Sequence, residues 1–404
     1  MTLPHATGLP IALDGVNVLD CSQILAGPFC SMLLADMGAN VIKIEKPNGG
    51  DDTRRMGPPF IEGESAAFLA INRNKRSIVI NFKDPDGISV MKRLIKDADV
   101  LIENYRPGVM ERLGLGYEVA STINPKLIYC SISGFGRTGP YAQRAGFDLV
   151  AQGMSGIMSY TGSEGTAPIK PGVPVADMNA GMFSTYGILA AYINLLKSGK
   201  GQFLEVSLLE SAIAYTIWES SSYFATGKVA GPIGSAHRLS APYQALKTKD
   251  GYINVGAPNQ SNWERFCKAI NRKDLLNNID YESNASRLIN RKQLEIDLEE
   301  TLIGYPSEYW LKLLEEAGVP AGPILDISEV WSNPQVQSRE MDKILTHQKA
   351  GAIHNIGLVA KLYGTPGSIY RPAPLLGQHT SEVLQESGFT SNEVSDLRVS
   401  GAIQ

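Results

Sequence analysis

The sequence predicts an α/β fold, a parallel sheet covered by helices on both faces, joined to a second, smaller domain. Three observations lead there. From residue 16 onward, short runs rich in β-branched residues alternate with segments of helical period, the pattern of βαβ units. The chain is 404 residues long, more than one small core organises. A glycine-rich stretch, TGKVAGPIGSA at Thr226–Ala236, reads as a linker after the alternating part.

Taken in order, VNVLD reads as a strand, PFCSMLLADMG as a helix stopped at Gly38, and NVIKIEK as a second strand. SIVINFK, GISVMKRLIKDA and DVLIENY repeat the strand, helix, strand sequence, and KLIYCSIS adds another strand. A long helix opens at Asp177 and stops at Lys197, Ser198 and Gly199, with lysine in the last turn and glycine after it. A further helix is expected from about Leu204 to Tyr223. Beyond the linker, APYQALKTKDGYINVGA reads as a strand pair of hairpin type, followed by helices at Trp263–Ile270, Arg291–Leu302 and Tyr309–Ala317. Short strands are expected between Ile324 and Pro374, and a last helix carries a capping box, Thr390 with Glu393, and a glycine stop at Gly401.

Composition narrows the function. Hydrophobic residues make up 43% and charged residues 19%, and the net charge of -4 supplies no global positive field for nucleic acid or an anionic membrane. No run of about 18 apolar residues would span a bilayer. Cys21, Cys30, Cys130 and Cys267 form no CxxC pair and read as free thiols of a reducing compartment. Nothing in MTLPHATGLPIALDG reads as an export or organelle signal, which points to the cytoplasm. A mitochondrial or other organelle matrix stays open where a transit peptide has been removed.

Several motifs fail on context. GFGRTG, Gly134–Gly139, matches a dinucleotide fingerprint after a strand, but Pro140 follows where a helix should begin. That failed fingerprint argues against a nicotinamide or flavin cofactor, and the histidines His5, His237, His347, His354 and His379 have no metal-binding spacing, so no metal is expected. No GxSxG elbow or phosphate-binding GxxxxGK[ST] loop occurs. Arg73, Lys75 and Arg76, with Lys83, Arg106 and Arg112, form a basic group with two readings: a solvated face, or anchors for a phosphate-bearing ligand. Asp177 likewise has two readings, an N-cap of the long helix or a reactive carboxylate.

VLDCSQILAGPFCSMLLADMGANVIKIEKPNGGDDTR, NRNKRSIVINFK, DVLIENYRPGVMERLGLGY, SISGFGRTGPYAQRAGFD and PVADMNAG resemble, in this order, the type III CoA-transferases, the group of formyl-CoA and carnitine CoA-transferases. The likeness runs from about Leu13 to the C-terminus, and within the family it is most similar to enzymes that pass CoA from succinyl-CoA to dicarboxylic acids such as glutarate. The resemblance implies a Rossmann-like large domain built from both chain ends, 1–225 and 326–404, around a small α+β domain, 226–325, and two subunits interlocked as a homodimer, with a hetero-oligomer with a paralogue also open. It places the nucleophile on Asp177 and a partner acid on Asp148. It places CoA contacts on Leu25, Ala26, Lys46, Asn81, Phe82, Lys83, Asn104, Tyr105 and Arg112, with a CoA thioester as substrate and no bound cofactor.

Departures matter as well. Formyl-CoA transferases carry glutamine where Leu25 stands and a run of glycines at Gly256–Gln260, so oxalate and formyl-CoA fit poorly. The related α-methylacyl-CoA racemases need a histidine at Phe147 and a glutamate at Asn259. Intramolecular CoA transfer on one diacid, and acyl-CoA binding without turnover, remain the other readings.

The expected chemistry is covalent: an ionised Asp177, favoured by the helix start, attacks the thioester. Gly256, Ala257, Pro258, Asn259 and Gln260 are expected to form a mobile lid, and His237 and Arg238 to hold the second carboxylate of a diacid.

Overall fold

A computed structural model describes residues 9–404. The first eight residues, with His5 and much of the N-terminal segment read above, lie outside them. The chain forms two compact units. One comprises residues 9–157, Lys170–Gly227 and Gln335–Gln404; the other comprises Met158–Ile169 and Lys228–Pro334.

The first unit is built on six parallel strands: β1 (Asn17–Asp20), β2 (Asn40–Glu45), β3 (Lys75–Val79), β4 (Val100–Glu103), β5 (Ile128–Ser133) and β6 (Gln202–Ser207), in the order β3-β2-β1-β4-β5-β6. Helices between the strands include α1 (Ala26–Asp36) and α2 (Pro85–Ile95), and the strands facing them are buried apolar runs such as Val100–Ile102 and Leu127–Cys130. The strand order reverses between β1 and β4. A doubly wound sheet takes its ligands outside the carboxyl ends of the strands at such a point.

β6 overturns one expectation. The helix expected from about Leu204 was to include LEVS, yet Gln202–Ser207 pairs in parallel with β5 from Ile128↔Gln202 to Ser133↔Ser207. Gly201 permits this: a Cβ there would lie 2.1 Å from the carbonyl oxygen of Leu127, whose strand it must approach. The helical stretch after it is broken into Leu208–Ile213 and Ile217–Thr226, joined by one 3-10 turn.

The helices that position the site are α3 (Asp148–Met154) and α4 (Val175–Ser198), the latter ending at Gly199 with φ of 70°, as its glycine stop predicts. α4 packs closely on α1 at Gly181, where a Cβ would lie 2.8 Å from the oxygen of Ala26 and 2.8 Å from the Phe29 ring. The first turns of α4 are thereby brought against the start of α1.

The second unit has its own core, in which Trp263, Phe266, Leu294, Leu298, Trp310 and Leu314 are buried. Its sheet is antiparallel: the expected hairpin, β7 (Tyr243–Lys247) with β8 (Tyr252–Gly256), plus a short third strand, Ala321–Pro323, on the other side of β8.

Candidate active site

Asp177 sits in the first turn of α4 but does not cap it. The helix begins at Val175 after Pro174, which offers no side-chain cap, so Asp177 is the third helical residue. The capping is done from outside. Asp148, the first residue of α3, accepts hydrogen bonds at Oδ1 from the backbone N–H groups of Ala176 (2.9 Å) and Asp177 (3.3 Å). These are two of the N–H groups that any helix start leaves unpaired. Asp148 is held in turn by Gln152, one helical turn further along α3, whose Nε2 donates to Oδ2 at 2.5 Å.

This arrangement reverses the expected sign at Asp177. The helix start was to favour an ionised carboxylate, but its N–H groups are given to Asp148. Burial, and secondarily the negative Asp148, push the Asp177 carboxyl up to about 7. The result is a part-buried carboxyl with no hydrogen-bond donor tying it down among the described residues, one that ionises near neutrality and is then poorly solvated. Such a group is a stronger nucleophile than a hydrated aspartate.

The positions to which CoA contacts were assigned gather along one edge of the sheet. Leu25 and Ala26 open α1 after β1; Lys46 follows β2; Asn81, Phe82 and Lys83 follow β3; Asn104 and Tyr105 follow β4, with Arg112 in the next helical turn. All lie beyond the carboxyl ends of four adjacent strands, and the switch point falls among them. Asn104 spans that crevice: it accepts from Gln23 N–H at 2.8 Å and donates to Gln23 O at 2.7 Å. The next residue, Ile24, takes φ of 70°, a left-handed conformation that a β-branched side chain adopts only when held. It is held by Asp51, which accepts its N–H at 3.1 Å and is paired with the buried Lys43 at 2.8 Å.

The basic group divides. Lys83, Arg106 and Arg112 are exposed. Arg73, Lys75 and Arg76 fit neither reading, because they are internal. Arg73 pairs with Asp36 at 2.7 Å, Lys75 with Asp20 at 3.1 Å, and Arg76 with Glu382 and Glu386 at 2.9 and 2.6 Å. Each charge is already paired, those of Arg73 and Lys75 with buried carboxylates and that of Arg76 with two half-exposed glutamates.

The remaining expected residues lie on the second unit. The segment expected as a lid is short and anchored there: Gly256 ends β8, and the Asn259 side chain caps the helix Gln260–Ala269 by accepting from Asn262 N–H at 2.8 Å. Buried Arg287 donates to Pro258 O at 2.8 Å and to Gln260 Oε1 at 3.3 Å. His237 accepts at Nδ1 from Leu239 N–H at 3.1 Å and packs edge-on against Tyr243, while Arg238 donates to Gly231 O and lies 5.8 Å from the Tyr160 ring.

Two residues were not singled out by sequence. Gln152 carries a usable signal, its spacing of four from Asp148 on one helix face. Glu103 carries none; burial pushes its carboxyl up to about 7 against the pull of Ser131, the Tyr105 N–H and Arg137. Its Oε2 accepts from Tyr105 N–H at 2.8 Å and so fixes the turn that bears Asn104 and Tyr105. Among the described residues no group of three or more His, Cys, Asp or Glu side chains could hold a metal ion, and no helix is long and apolar enough to cross a membrane.

Residues 13–380 match the model of CoA-transferase family III. The chain is 44% identical to human succinyl-CoA:glutarate CoA-transferase over 392 residues, 97% of this chain and 90% of that one. It is 40% identical to succinate--glutarate CoA-transferase of Agrobacterium fabrum over 380 residues, 93% of this chain and 95% of that one. Among solved structures it is similar to a CaiB/BaiF family protein from Brucella suis, with a TM-score of 0.84 and 37% identity, covering 94% of this chain and all of that one.

Proposed function

The chain belongs to CoA-transferase family III, and on that premise we propose that it moves CoA from succinyl-CoA to a dicarboxylic acid of the glutarate class through a covalent intermediate on Asp177. The observation that carries the covalent step is the Asp177 carboxyl, part-buried, without a hydrogen-bond donor among the described residues, and raised to about 7 beside Asp148. The substrate class rests on the glutarate enzymes to which the chain is 40–44% identical.

The chemistry balances without a proton or a redox partner. The Asp177 carboxylate attacks the succinyl-CoA carbonyl, and the C–S bond breaks to give a succinyl–aspartyl anhydride and CoA thiolate. The thiolate attacks the aspartyl carbonyl, succinate leaves, and an aspartyl-CoA thioester remains. The acceptor carboxylate attacks that thioester, regenerating the thiolate and an anhydride, and the thiolate attacks the acceptor's carbonyl to release acceptor-CoA and free Asp177. Asp148 keeps the α4 start fixed throughout, and exposed Lys46, Lys83 and Arg112 near the sheet edge suit the phosphates of CoA.

We also propose that the protein works as a homodimer. Met182, Tyr186, Ile193 and Leu196 form an exposed apolar stripe along α4, between 53% and 71% accessible, of the kind a subunit interface covers.

Hydroxylamine tests the intermediate, since it converts an aspartyl thioester into a stable hydroxamate with release of CoA. Peptide mass spectrometry after incubation with succinyl-CoA and hydroxylamine is expected to locate that adduct on Asp177, and Asp177→Ala to abolish both adduct and transfer. Transfer retained by Asp177→Ala would remove Asp177 as the nucleophile. A panel of mono- and dicarboxylates with succinyl-CoA, read by mass spectrometry of the CoA products, tests the acceptor class.

A further inference from the structure

We infer that Gln152 is a positioning residue for the transfer reaction: its buried carboxamide N–H groups hold Asp148 and the lead-in to α4 so that the Asp177 backbone is fixed for attack. The inference rests on the reading of Asp177 as the nucleophile.

Gln152 is fully buried. Its Nε2 donates to Asp148 Oδ2 at 2.5 Å and to Val173 O at 3.4 Å. Two acceptors on one side determine which way the amide points, because the reverse orientation would set its oxygen against a carboxylate. Each partner leads to α4. Asp148 Oδ1 receives the N–H groups of Ala176 and of Asp177 itself, and Val173 O also accepts from Val175 N–H, the first residue of the helix. One side chain therefore braces the nucleophile's turn from two directions.

The other half of the amide is the second observation. Gln152 Oε1 is buried and has no hydrogen-bond partner among the described residues. A buried amide oxygen without a donor opposes folding, and an aliphatic side chain of similar volume would remove that opposition. The feature of Gln152 that leucine lacks is its pair of N–H donors, both directed at the supports of Asp177. A role in packing alone would favour the aliphatic residue.

The test compares wild type with Gln152→Leu and Gln152→Glu by steady-state CoA transfer, rate of hydroxamate formation at Asp177, and unfolding midpoint. Gln152→Leu is expected to lower kcat and the trapping rate between about 10- and 100-fold, the range of one hydrogen bond to a charged group. The KM for succinyl-CoA should stay within about twofold, and the midpoint at or above wild type. Gln152→Glu keeps the shape without the N–H groups. Its activity relative to wild type should be lowest at pH 8 and recover toward pH 6, where a protonated carboxyl can again donate to Asp148.

Wild-type kcat and trapping in both variants, with or without a changed midpoint, would overturn the positioning role while leaving Asp177 as nucleophile. Transfer by wild type with no adduct at Asp177 would overturn the nucleophile assignment, and the role of Gln152 with it.

Discussion

Replacing Asp177 with asparagine should make the protein more stable, and increasingly so as pH rises. The folded carboxyl titrates at about 7 against an ordinary value of 3.8, so between those values the folded state holds a proton that the unfolded chain has released. Stability contributed by this site is therefore complete below 3.8 and is lost as pH climbs through about 7. At about 1.36 kcal/mol per unit, the full shift corresponds to roughly 4 kcal/mol, which solvent reaching a part-buried group reduces to about 2. Asparagine does not titrate, and because Asp177 caps nothing, its replacement loses no cap. Urea denaturation of both proteins at pH 5 and pH 8 measures the effect. Groups remote from the site, Glu103 among them, titrate alike in both, so the change in the stability difference reports on Asp177 and its electrostatic coupling to Asp148. The advantage of Asp177→Asn should widen by roughly 1–3 kcal/mol from pH 5 to pH 8 while CoA transfer is abolished. An advantage that stays constant or shrinks over that range would refute the argument that Asp177 is held as a disfavoured carboxylate.

Arg73→Met should leave Asp36 as an uncompensated buried charge and destabilise the protein by about 3–5 kcal/mol in the same denaturation assay, with the KM for succinyl-CoA unchanged; a raised KM at normal stability would return Arg73 to the substrate. Gly256→Val adds bulk where even a Cβ would lie 3.4 Å from the Tyr243 ring, and should raise acyl-CoA hydrolysis relative to transfer if the segment shields the intermediate; an unchanged ratio removes it from the mechanism. If Arg238 grips the second carboxylate, Arg238→Met should lower kcat/KM for glutarate by about 10- to 150-fold, as for loss of a charged hydrogen bond of about 1.5–3 kcal/mol, and spare butyrate; equal effects on both acids would reject a diacid grip.

What the sequence made legible was local. β1, α1, β2 and the helix Arg291–Leu302 announce themselves through periodicity, and Gly199 and Gly401 mark helix ends by residue type alone. β6 was missed because its identity depends on a partner: QFLEVS shows no clean alternation, and only pairing with β5 makes it a strand. Arg73, Lys75 and Arg76 were misread for a similar reason. Arg76 finds its carboxylate on Glu386, 310 positions away, and Arg73 finds Asp36 at a separation of 37. Nothing local distinguishes an arginine awaiting a phosphate from one committed to a distant acid. Motif resemblance singled out Asp177 and Asp148, which the structure brings together, but not which of them caps the helix, since that depends on an approach between segments 29 residues apart.

The interior ion pairs have a practical consequence for handling the protein. Asp20, Lys43 and Lys75 are inaccessible to solvent, and Asp51 nearly so, whereas Lys46, Lys83 and Arg112 stand in water. Counterions act only where they can reach: the Debye length contracts from about 10 Å at 0.1 M salt to about 3 Å at 1 M, and sealed pairs are screened little. Ionic strength therefore addresses the two populations of charge separately. If the exposed cations hold the phosphates of CoA as proposed, concentrated salt should strip it from the sheet edge while the lattice of pairs beneath stays intact, so that a ligand retained through purification could be eluted from folded protein and returned by dialysis.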